Sequence, residues 1–325
     1  MKKMTKIFLL LFFIIIPLIS LTIIVQCGNT QNKNQNVKSN SIPSKNKKEI
    51  IDQSTKELQK ARELKVKVRR RYAGFFGRNN AYPKNMVLVE ELFFDEKGNR
   101  TKHIRYKSTG DVDLSYEFKY DENGNLLYMD TYDGYGNLKG RRESRYNESN
   151  HEVLRKLLDD RSSGELKTEF YYNEANKLIK SISYTKKGTI ASEQQNEYNG
   201  EFLVRSIIKD GDGNQISEIT FDYDSEGYLI KETQKGIQGS NVINYKYDSR
   251  GNLIEIKDNQ TTREMKYDNN GNLIEDKLYL SDGSRQFRIT FSYYKNGLQK
   301  EEIRYSNDER PAFIAKYEYE FYNSR

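Results

Sequence analysis

Two histidines, one cysteine and scattered aspartate pairs are the side chains of this 325-residue chain that are best suited to chemistry. His103 and His151 fall in no metal-ligand spacing, so we interpret both as ordinary surface histidines. A pair such as Asp222 and Asp224 could supply the acid and base of a glycan hydrolase. However, these carboxylates lie beside predicted turns, where Asp has a structural reason to occur. With neither a nucleophile elbow nor a phosphate-binding glycine loop, the sequence predicts no enzyme and no catalytic residue.

Two oxygen-rich segments raise the question of calcium. They read Asp210-Gly211-Asp212-Gly213-Asn214 and Asp268-Asn269-Asn270-Gly271-Asn272. A calcium-binding EF-hand loop needs Gly at its sixth position and Glu at its twelfth. Counted from Asp210, these positions hold Gln215 and Phe221. Hairpin turns explain the same residues, so no metal and no cofactor is predicted, with weak calcium binding as the alternative.

The single cysteine, Cys27, lies where an export signal would end. The chain begins with three lysines in its first six residues and continues with an apolar run over 7–25. A basic start followed by an apolar stretch is typical of exported proteins. Cys27 stands two residues after this run and before a polar tract over 28–48, which is rich in Asn, Ser and Lys. The position resembles a lipoprotein attachment site, and we predict that Cys27 is lipidated.

Two alternatives remain for this segment. An uncleaved membrane anchor is one, because the run of 19 residues is nearly long enough to span a bilayer. A cleaved signal that leaves a free thiol is the other. All three interpretations place the rest of the chain outside the cytoplasm, and we favour a bacterial outer-membrane or surface lipoprotein. Without a second cysteine, the domain must be stable without disulfide bonds.

Charge is distributed unevenly along the chain, whose formal net charge is +7. Residues 28–90 contain 15 Lys and Arg against 5 Asp and Glu, whereas residues 91–325 contain 36 against 42. We therefore predict four regions: a signal or anchor over 1–27, a disordered tether over 28–48, a basic stem with a short helix over 49–85, and a repeat domain over 86–325. Nucleic acid is not an expected partner, because the basic residues do not continue through the repeats.

One phrase recurs through the repeat domain: an aromatic residue, Asp or Asn, two variable positions, Gly, a polar residue and Leu. The clearest copies begin at Tyr120, Tyr223, Tyr247 and Tyr267, and the period between successive aromatic residues is 20–27. Asp can accept hydrogen bonds from the backbone that follows it, and Gly supplies a positive φ. Each phrase therefore predicts a hairpin turn. A period of this size indicates a repeat architecture.

The flanks of these turns alternate as strands do. Leu114, Tyr116, Phe118 and Tyr120 share one predicted face. A weaker turn in the middle of each period implies one hairpin per period and about sixteen strands after residue 86. Twist of about 20° per strand then accumulates to nearly a full turn. The predicted fold is all-β: a long antiparallel meander in a single curled or spiralling sheet, with a short N-terminal helix.

These turns resemble the YD, or Rhs, repeat family, whose pattern is aromatic-x-Tyr-Asp-x-x-Gly followed by a polar residue and Leu. Four copies match this pattern, and they contain Tyr120-Asp121, Tyr223-Asp224, Tyr247-Asp248 and Tyr267-Asp268. The resemblance covers 87–325 and implies a bacterial surface or secreted protein that contacts carbohydrate or cell surfaces. Large members form a shell around a toxin. This chain is too short for such a shell, so toxin delivery is not expected.

The predicted function is that of a non-enzymatic, membrane-anchored envelope protein whose repeat sheet binds or scaffolds a glycan or another envelope protein. Tyr120, Tyr223, Tyr247 and Tyr267 could form an aromatic face for stacking a ligand, although packing between neighbouring strands is the more common role of such rings. The last strand, over 312–322, is expected to be a free edge through which the protein could form oligomers. Alternatives are an immunity partner that sequesters a toxin or secreted protein, and an envelope glycan hydrolase.

Overall fold

The computed structural model describes residues 53–159, 164–237 and 239–322. This part of the chain holds one α-helix and twenty strands, all in one antiparallel sheet. The helix α1 spans Gln53–Glu63, and the strands are β1 (Val66–Phe75), β2 (Val87–Phe94), β3 (Arg100–Tyr106), β4 (Val112–Tyr120), β5 (Leu126–Asp133), β6 (Leu138–Tyr146), β7 (Glu152–Asp159), β8 (Leu166–Tyr172), β9 (Leu178–Tyr184), β10 (Ile190–Asn199), β11 (Phe202–Asp210), β12 (Gln215–Tyr223), β13 (Leu229–Gly236), β14 (Gly239–Tyr247), β15 (Leu253–Lys257), β16 (Thr261–Tyr267), β17 (Leu273–Leu280), β18 (Arg285–Tyr293), β19 (Gln299–Tyr305) and β20 (Pro311–Phe321).

The repeated phrase forms the predicted turn. In the copy between β14 and β15, the carboxylate of Asp248 accepts a hydrogen bond of 2.9 Å from the backbone N–H of Asn252. The backbone carbonyl of Asp248 accepts another from Gly251, whose φ of 83° is the predicted positive value. The register shifts where Tyr247 faces Leu253, so each such hairpin carries a bulge at its turn. The turn prediction is confirmed.

Two copies lack glycine and still form the same turn. Asn150 and Asn176 occupy the position of the missing glycine with φ of 61° and 59°. Asn tolerates the left-handed region better than other residues with a side chain. The loss of glycine therefore leaves the hairpins intact.

The sheet is closed. Each strand from β2 to β20 pairs with its neighbours in the chain, and β1 pairs with both β2 and β20. The all-β antiparallel prediction with a short helix is confirmed, but the open, curled or spiralling sheet is wrong: the strands form a closed barrel. The last strand is not a free edge, because β20 pairs with β19 and β1. Among the described residues, nineteen strands rather than about sixteen follow residue 86.

Charge explains why β1 fits between its two neighbours. This strand carries the basic run of the predicted stem, and both adjacent strands are acidic. Arg70 Nε donates to Glu91 of β2 at 2.8 Å, and the same guanidinium pairs with Glu320 of β20. Arg69 binds Glu90 of β2 at 2.6 Å. The segment 49–85 thus supplies the closing strand, with its arginines paired to glutamates.

The helix identifies the inner face of the closed sheet. Lys56 of α1 donates to the carbonyl of Gly271, in the turn before β17, and Arg62 packs against Gly98, in the turn before β3. Six strands separate these turns, about 29 Å along the sheet. Six residues of helix span only about 9 Å. Because the helix bridges both turns by a path shorter than the arc, it lies on the concave side.

A small apolar cluster holds α1 in place. Ala61 of the helix packs with Val66, Leu92, Phe94 and Leu298, each at most 6% exposed. The sheet face that contains Leu92 is therefore the inner face, and its cross-strand partner there is His103. His103 in turn pairs with Tyr116 of β4. The face predicted to hold the tyrosines is therefore the inner face.

Candidate functional site

A cavity of about 1180 Å³ lies between α1 and the inner face. Its walls come from the helix, from β1 to β3 and from β17 to β20, and the turns before β17 and β19 form its rim. Glu57 of the helix faces Arg69, Glu90, Tyr317 and Tyr319 of the strands. Alternation along each strand sends every second side chain inward. The lining is therefore a mixture of aromatic rings and charged groups.

Arg69 is the centre of a buried network in this cavity. Its guanidinium binds Glu57 at 3.1 Å and Glu90 at 2.6 Å, which ties the helix to the sheet. Glu90 also forms a hydrogen bond of 2.9 Å with His103. Burial opposes ionisation of Glu90, but the hydrogen bond from His103 and the charges of Arg69 and Arg71 prevail and lower its pKa to about 2. Glu90 is therefore a fixed negative charge at neutral pH.

A second group of polar side chains lies beside the first. The Tyr317 hydroxyl donates to Glu302 at 3.1 Å, and Arg304 binds the other oxygen of that carboxylate at 2.8 Å. Burial and the charge of Glu302 raise the pKa of Tyr317. The guanidinium of Arg69 lies 5.4 Å from the centre of the Tyr317 ring. The wall thus joins aromatic and ionic contacts, which is typical of sites that orient a polar ligand.

The four tyrosines predicted to stack a ligand lie on the inner face, where three of their hydroxyls bind backbone. These hydroxyls donate to a carbonyl in the first two residues of the second strand of the preceding hairpin: Tyr223 to Leu203 at 3.0 Å, Tyr247 to Leu229 at 2.8 Å and Tyr267 to Leu253 at 2.9 Å. Tyr120 is half-buried, and burial raises its pKa to about 12. These contacts link successive repeats; stacking of a ligand by the four rings stays a prediction.

Other predicted residues lie apart from the cavity. Asp222 is 3.8 Å from Lys231, and Asp224 accepts backbone N–H groups of its own turn. Asp210 likewise accepts the backbone N–H of Asn214 at 2.8 Å. Among residues 53–159, 164–237 and 239–322, no cluster of three or more His, Cys, Asp or Glu side chains could hold a metal ion.

The histidines are not ordinary surface residues, and that prediction is wrong. His103 is only 18% exposed and lies on the cavity wall, stacked on Tyr116 at 5.2 Å. His151 is half-buried and stacked on Tyr172 at 4.9 Å. Alternation along β3 places His103 on the tyrosine face, whereas His151 lies at the end of the turn before β7. The alternation that predicted Tyr116 as a face residue could have placed His103 opposite it, had the strand register been known.

The N-terminal predictions lie outside the described residues. Cys27, the apolar run over 7–25 and the tether over 28–48 all precede residue 53. In the part of the chain that the structure describes, no helix has the length and apolar character needed to cross a membrane.

Sequence reasoning missed the cavity and its arginines. Arg69 and Arg71 belong to the predicted basic stem, and no sequence pattern indicated a role for Arg100. One signal was present: Arg69 and Arg71 alternate in a stretch with strand character, while the paired glutamates at 90 and 91 begin the repeat domain. Complementary charge between these segments indicated that the stem could pair with the sheet.

The Teneurin YD-shell family matches residues 179–324, a segment that contains the eleven strands from β10 to β20. The same turn, with its capping aspartate and left-handed residue, runs through the described sheet before that segment as well. The chain is a YD-repeat protein. No curated protein matches this YD-repeat chain.

Solved structures match this chain at low sequence identity and with low TM-scores. A crystal structure of TcdB2-TccC3 with Cdc42 is 13% identical, with a TM-score of 0.27, over 66% of the YD-repeat chain and 15% of its own. A Tc holotoxin pore from Photorhabdus luminescens is 12% identical, with a TM-score of 0.29, over 72% and 19%. A porin-like protein from Bacteroides uniformis is 11% identical, with a TM-score of 0.36, over 78% and 98%. The YD-repeat chain thus spans less than a fifth of the toxin chains that it matches.

Proposed function

We propose that this YD-repeat protein is a non-enzymatic, membrane-anchored envelope protein that binds a glycan in the cavity beneath α1. One observation carries the proposal: a concave site of about 1180 Å³ is built into the closed sheet and lined by aromatic and charged side chains. Sites that bind small molecules are concave, largely preformed and fitted with a few fixed polar groups. The network around Arg69 provides such groups.

The contacts of the cavity favour binding over catalysis. Two of its carboxylates, Glu57 and Glu90, are held by the guanidinium of Arg69. A general acid needs a pKa raised toward neutrality, whereas the pKa of Glu90 is lowered to about 2. A carboxylate held in this way cannot donate a proton near pH 7. The anchored part of the proposal rests on the apolar run and Cys27 of the sequence.

The test uses the full-length protein in mild detergent on a glycan array, with a variant that fills the cavity. Ile274 lines the cavity and is 37% exposed, so Ile274→Trp adds bulk there without disturbing a packed core. Ile230 is the matched control: it follows the leucine that starts β13, as Ile274 follows the one that starts β17, and it is 39% exposed. We expect wild type and Ile230→Trp to retain glycans and Ile274→Trp to lose them.

Three results would contradict the proposal. One is a wild-type protein that folds normally and retains no glycan on a broad array. Another is equal retention by both tryptophan variants, since the cavity would then not be the site. The third is cleavage of the retained glycan, which would make the protein an enzyme. A pull-down from envelope extract that recovers a protein partner, with no glycan retained, would favour the scaffolding role.

A further inference from the structure

The cationic side chains of the cavity are not fully balanced by its carboxylates. Arg69 binds Glu57 and Glu90, whereas Arg71 approaches Glu302 only to 3.8 Å. Arg100 also lines the cavity. Within residues 53–159, 164–237 and 239–322, Arg100 forms no ion pair, and its guanidinium lies 5.6 Å from the centre of the Phe118 ring.

Buried donors in the same cavity lack acceptors. The Nε groups of Arg69, Arg71 and Arg100 and the Nε2 group of Gln299 are buried with no hydrogen-bond partner among the described residues. Gln299 is only 4% exposed. Leaving a buried donor unpaired destabilises the folded state, and more strongly when the donor is charged. All four residues line one cavity and every unpaired group is a donor, so a ligand that pairs with them must bring hydrogen-bond acceptors.

We propose that the cavity binds an oxyanion, a carboxylate or phosphate group of a small ligand, with Arg100 as its main cationic contact. The proposal rests on the binding function proposed above and names the chemistry of the ligand at that site. A guanidinium fits both groups, since its parallel N–H bonds match the spacing of two oxygens. Glu57 and Glu90 hold Arg69 in ion pairs. Arg100 forms no ion pair with the described residues, so its guanidinium can contact the ligand.

The electrostatics of the site agree with this assignment. Burial and the nearby charge of Arg69 lower the pKa of Arg100 by more than Tyr120 and Glu90 raise it, so the two cations repel one another. A buried charge without a partner is costly, and an anion between the arginines would remove that cost. Because the ligand would bind the folded state and not the unfolded state, it would stabilise the protein against unfolding.

The test measures binding of sodium phosphate and sodium glucuronate to the full-length protein in detergent, with sodium chloride keeping the ionic strength constant. We expect at least one probe to raise the midpoint of thermal unfolding and to bind in calorimetry, and the tighter one shows whether phosphate or carboxylate is preferred. Arg100→Gln should weaken binding at least tenfold. Arg141→Gln is the control, since Arg141 lies on the outer face, paired to Asp130 at 2.6 Å and 44% exposed; it should bind as wild type does.

The ligand-free stability of the variants makes the result decisive. Arg100→Gln removes an uncompensated buried charge, so it should unfold at the same temperature as wild type or higher. Arg100→Lys, which keeps the charge and loses the planar fork, should bind with intermediate affinity. The proposal is overturned if wild type binds neither probe more than chloride, or if Arg100→Gln binds as wild type does. Glycan retention lost in Ile274→Trp but kept in Arg100→Gln would overturn the anion site and leave the binding function standing.

Discussion

Glu90 shows how a single side chain can link the helix, the closing strand and the cavity. Its carboxylate binds Arg69 of β1, while Arg69 reaches Glu57 of α1. On the other side it forms a hydrogen bond with His103. Removing one member of such a buried group leaves its partners charged and unpaired, which is why these contacts matter more than the exposed pairs of the outer face.

Replacing Glu90 by Gln should destabilise the protein in a pH-dependent way. The pKa of Glu90 is lowered from an ordinary 4.5 to about 2, so its contribution is fully present above about pH 4.5 and is lost as the pH falls toward 2. That difference corresponds to about 3 kcal/mol at pH 7. Urea unfolding at a series of pH values should show the gap between wild type and Glu90→Gln closing below about pH 4.

Glu117→Gln is the matched control for this experiment. Glu117 pairs with Lys102 at 3.1 Å on the outer face and is 52% exposed. An exposed pair contributes about 0–1 kcal/mol, so this variant should differ little from wild type at any pH. A gap for Glu90→Gln that is the same at pH 7 and at pH 2.5 would show that its carboxylate is not held ionised by the network.

At the scale of the element, the hairpin turn needs a backbone conformation more than it needs glycine. Asn150 and Asn176 hold the left-handed position in two turns, with the same hydrogen bond from their N–H to the residue three positions before. In the first of these turns the Asn150 side chain also accepts a hydrogen bond of 2.8 Å from Asn125 of the preceding turn. The second turn is therefore the cleaner place to test conformation alone.

Asn176 variants should rank by how well each residue tolerates positive φ. Asn176 is exposed with φ of 59°, so Asn176→Gly should change the free energy of unfolding by less than about 1 kcal/mol. Asn176→Val, a β-branched residue in the left-handed region, should destabilise by about 1–2 kcal/mol. Chemical denaturation measures both. Equal stability of the Gly and Val variants would mean that this turn is not under conformational constraint.

Local signals account for what the sequence could predict. The turn at 247–253 is specified by its own Tyr, Asp, Gly and Leu, and the alternation around Tyr116 assigns a face without any knowledge of the rest of the sheet. Closure and the cavity depend on partners far apart in sequence. Arg70 pairs with Glu320, 250 positions away, and no local pattern contains both residues. The same holds for Lys56 and Gly271, whose contact places the helix inside the sheet.

For the whole molecule, the closed sheet removes the edges that an open meander would expose. β1 runs antiparallel to both β2 and β20, so these two strands run parallel to one another. If β1 were absent, they could not restore an antiparallel closure between themselves. Two unpaired edges would then face solvent, and exposed edges pair with other chains.

Removing residues 1–76 should therefore convert the protein into self-associating species, whereas removing residues 1–48 should not. The shorter deletion keeps α1 and β1, with the pairing of Arg70 to Glu91 and Glu320. The longer one exposes the edges of β2 and β20 and removes the helix from the cavity. Size-exclusion chromatography with light scattering should give the chain mass for 49–325 and multiples of it for 77–325. If 77–325 were instead monomeric and as resistant to urea as 49–325, β1 would not be the strand that closes the sheet, because a sheet that tolerates its loss must be closed by other contacts.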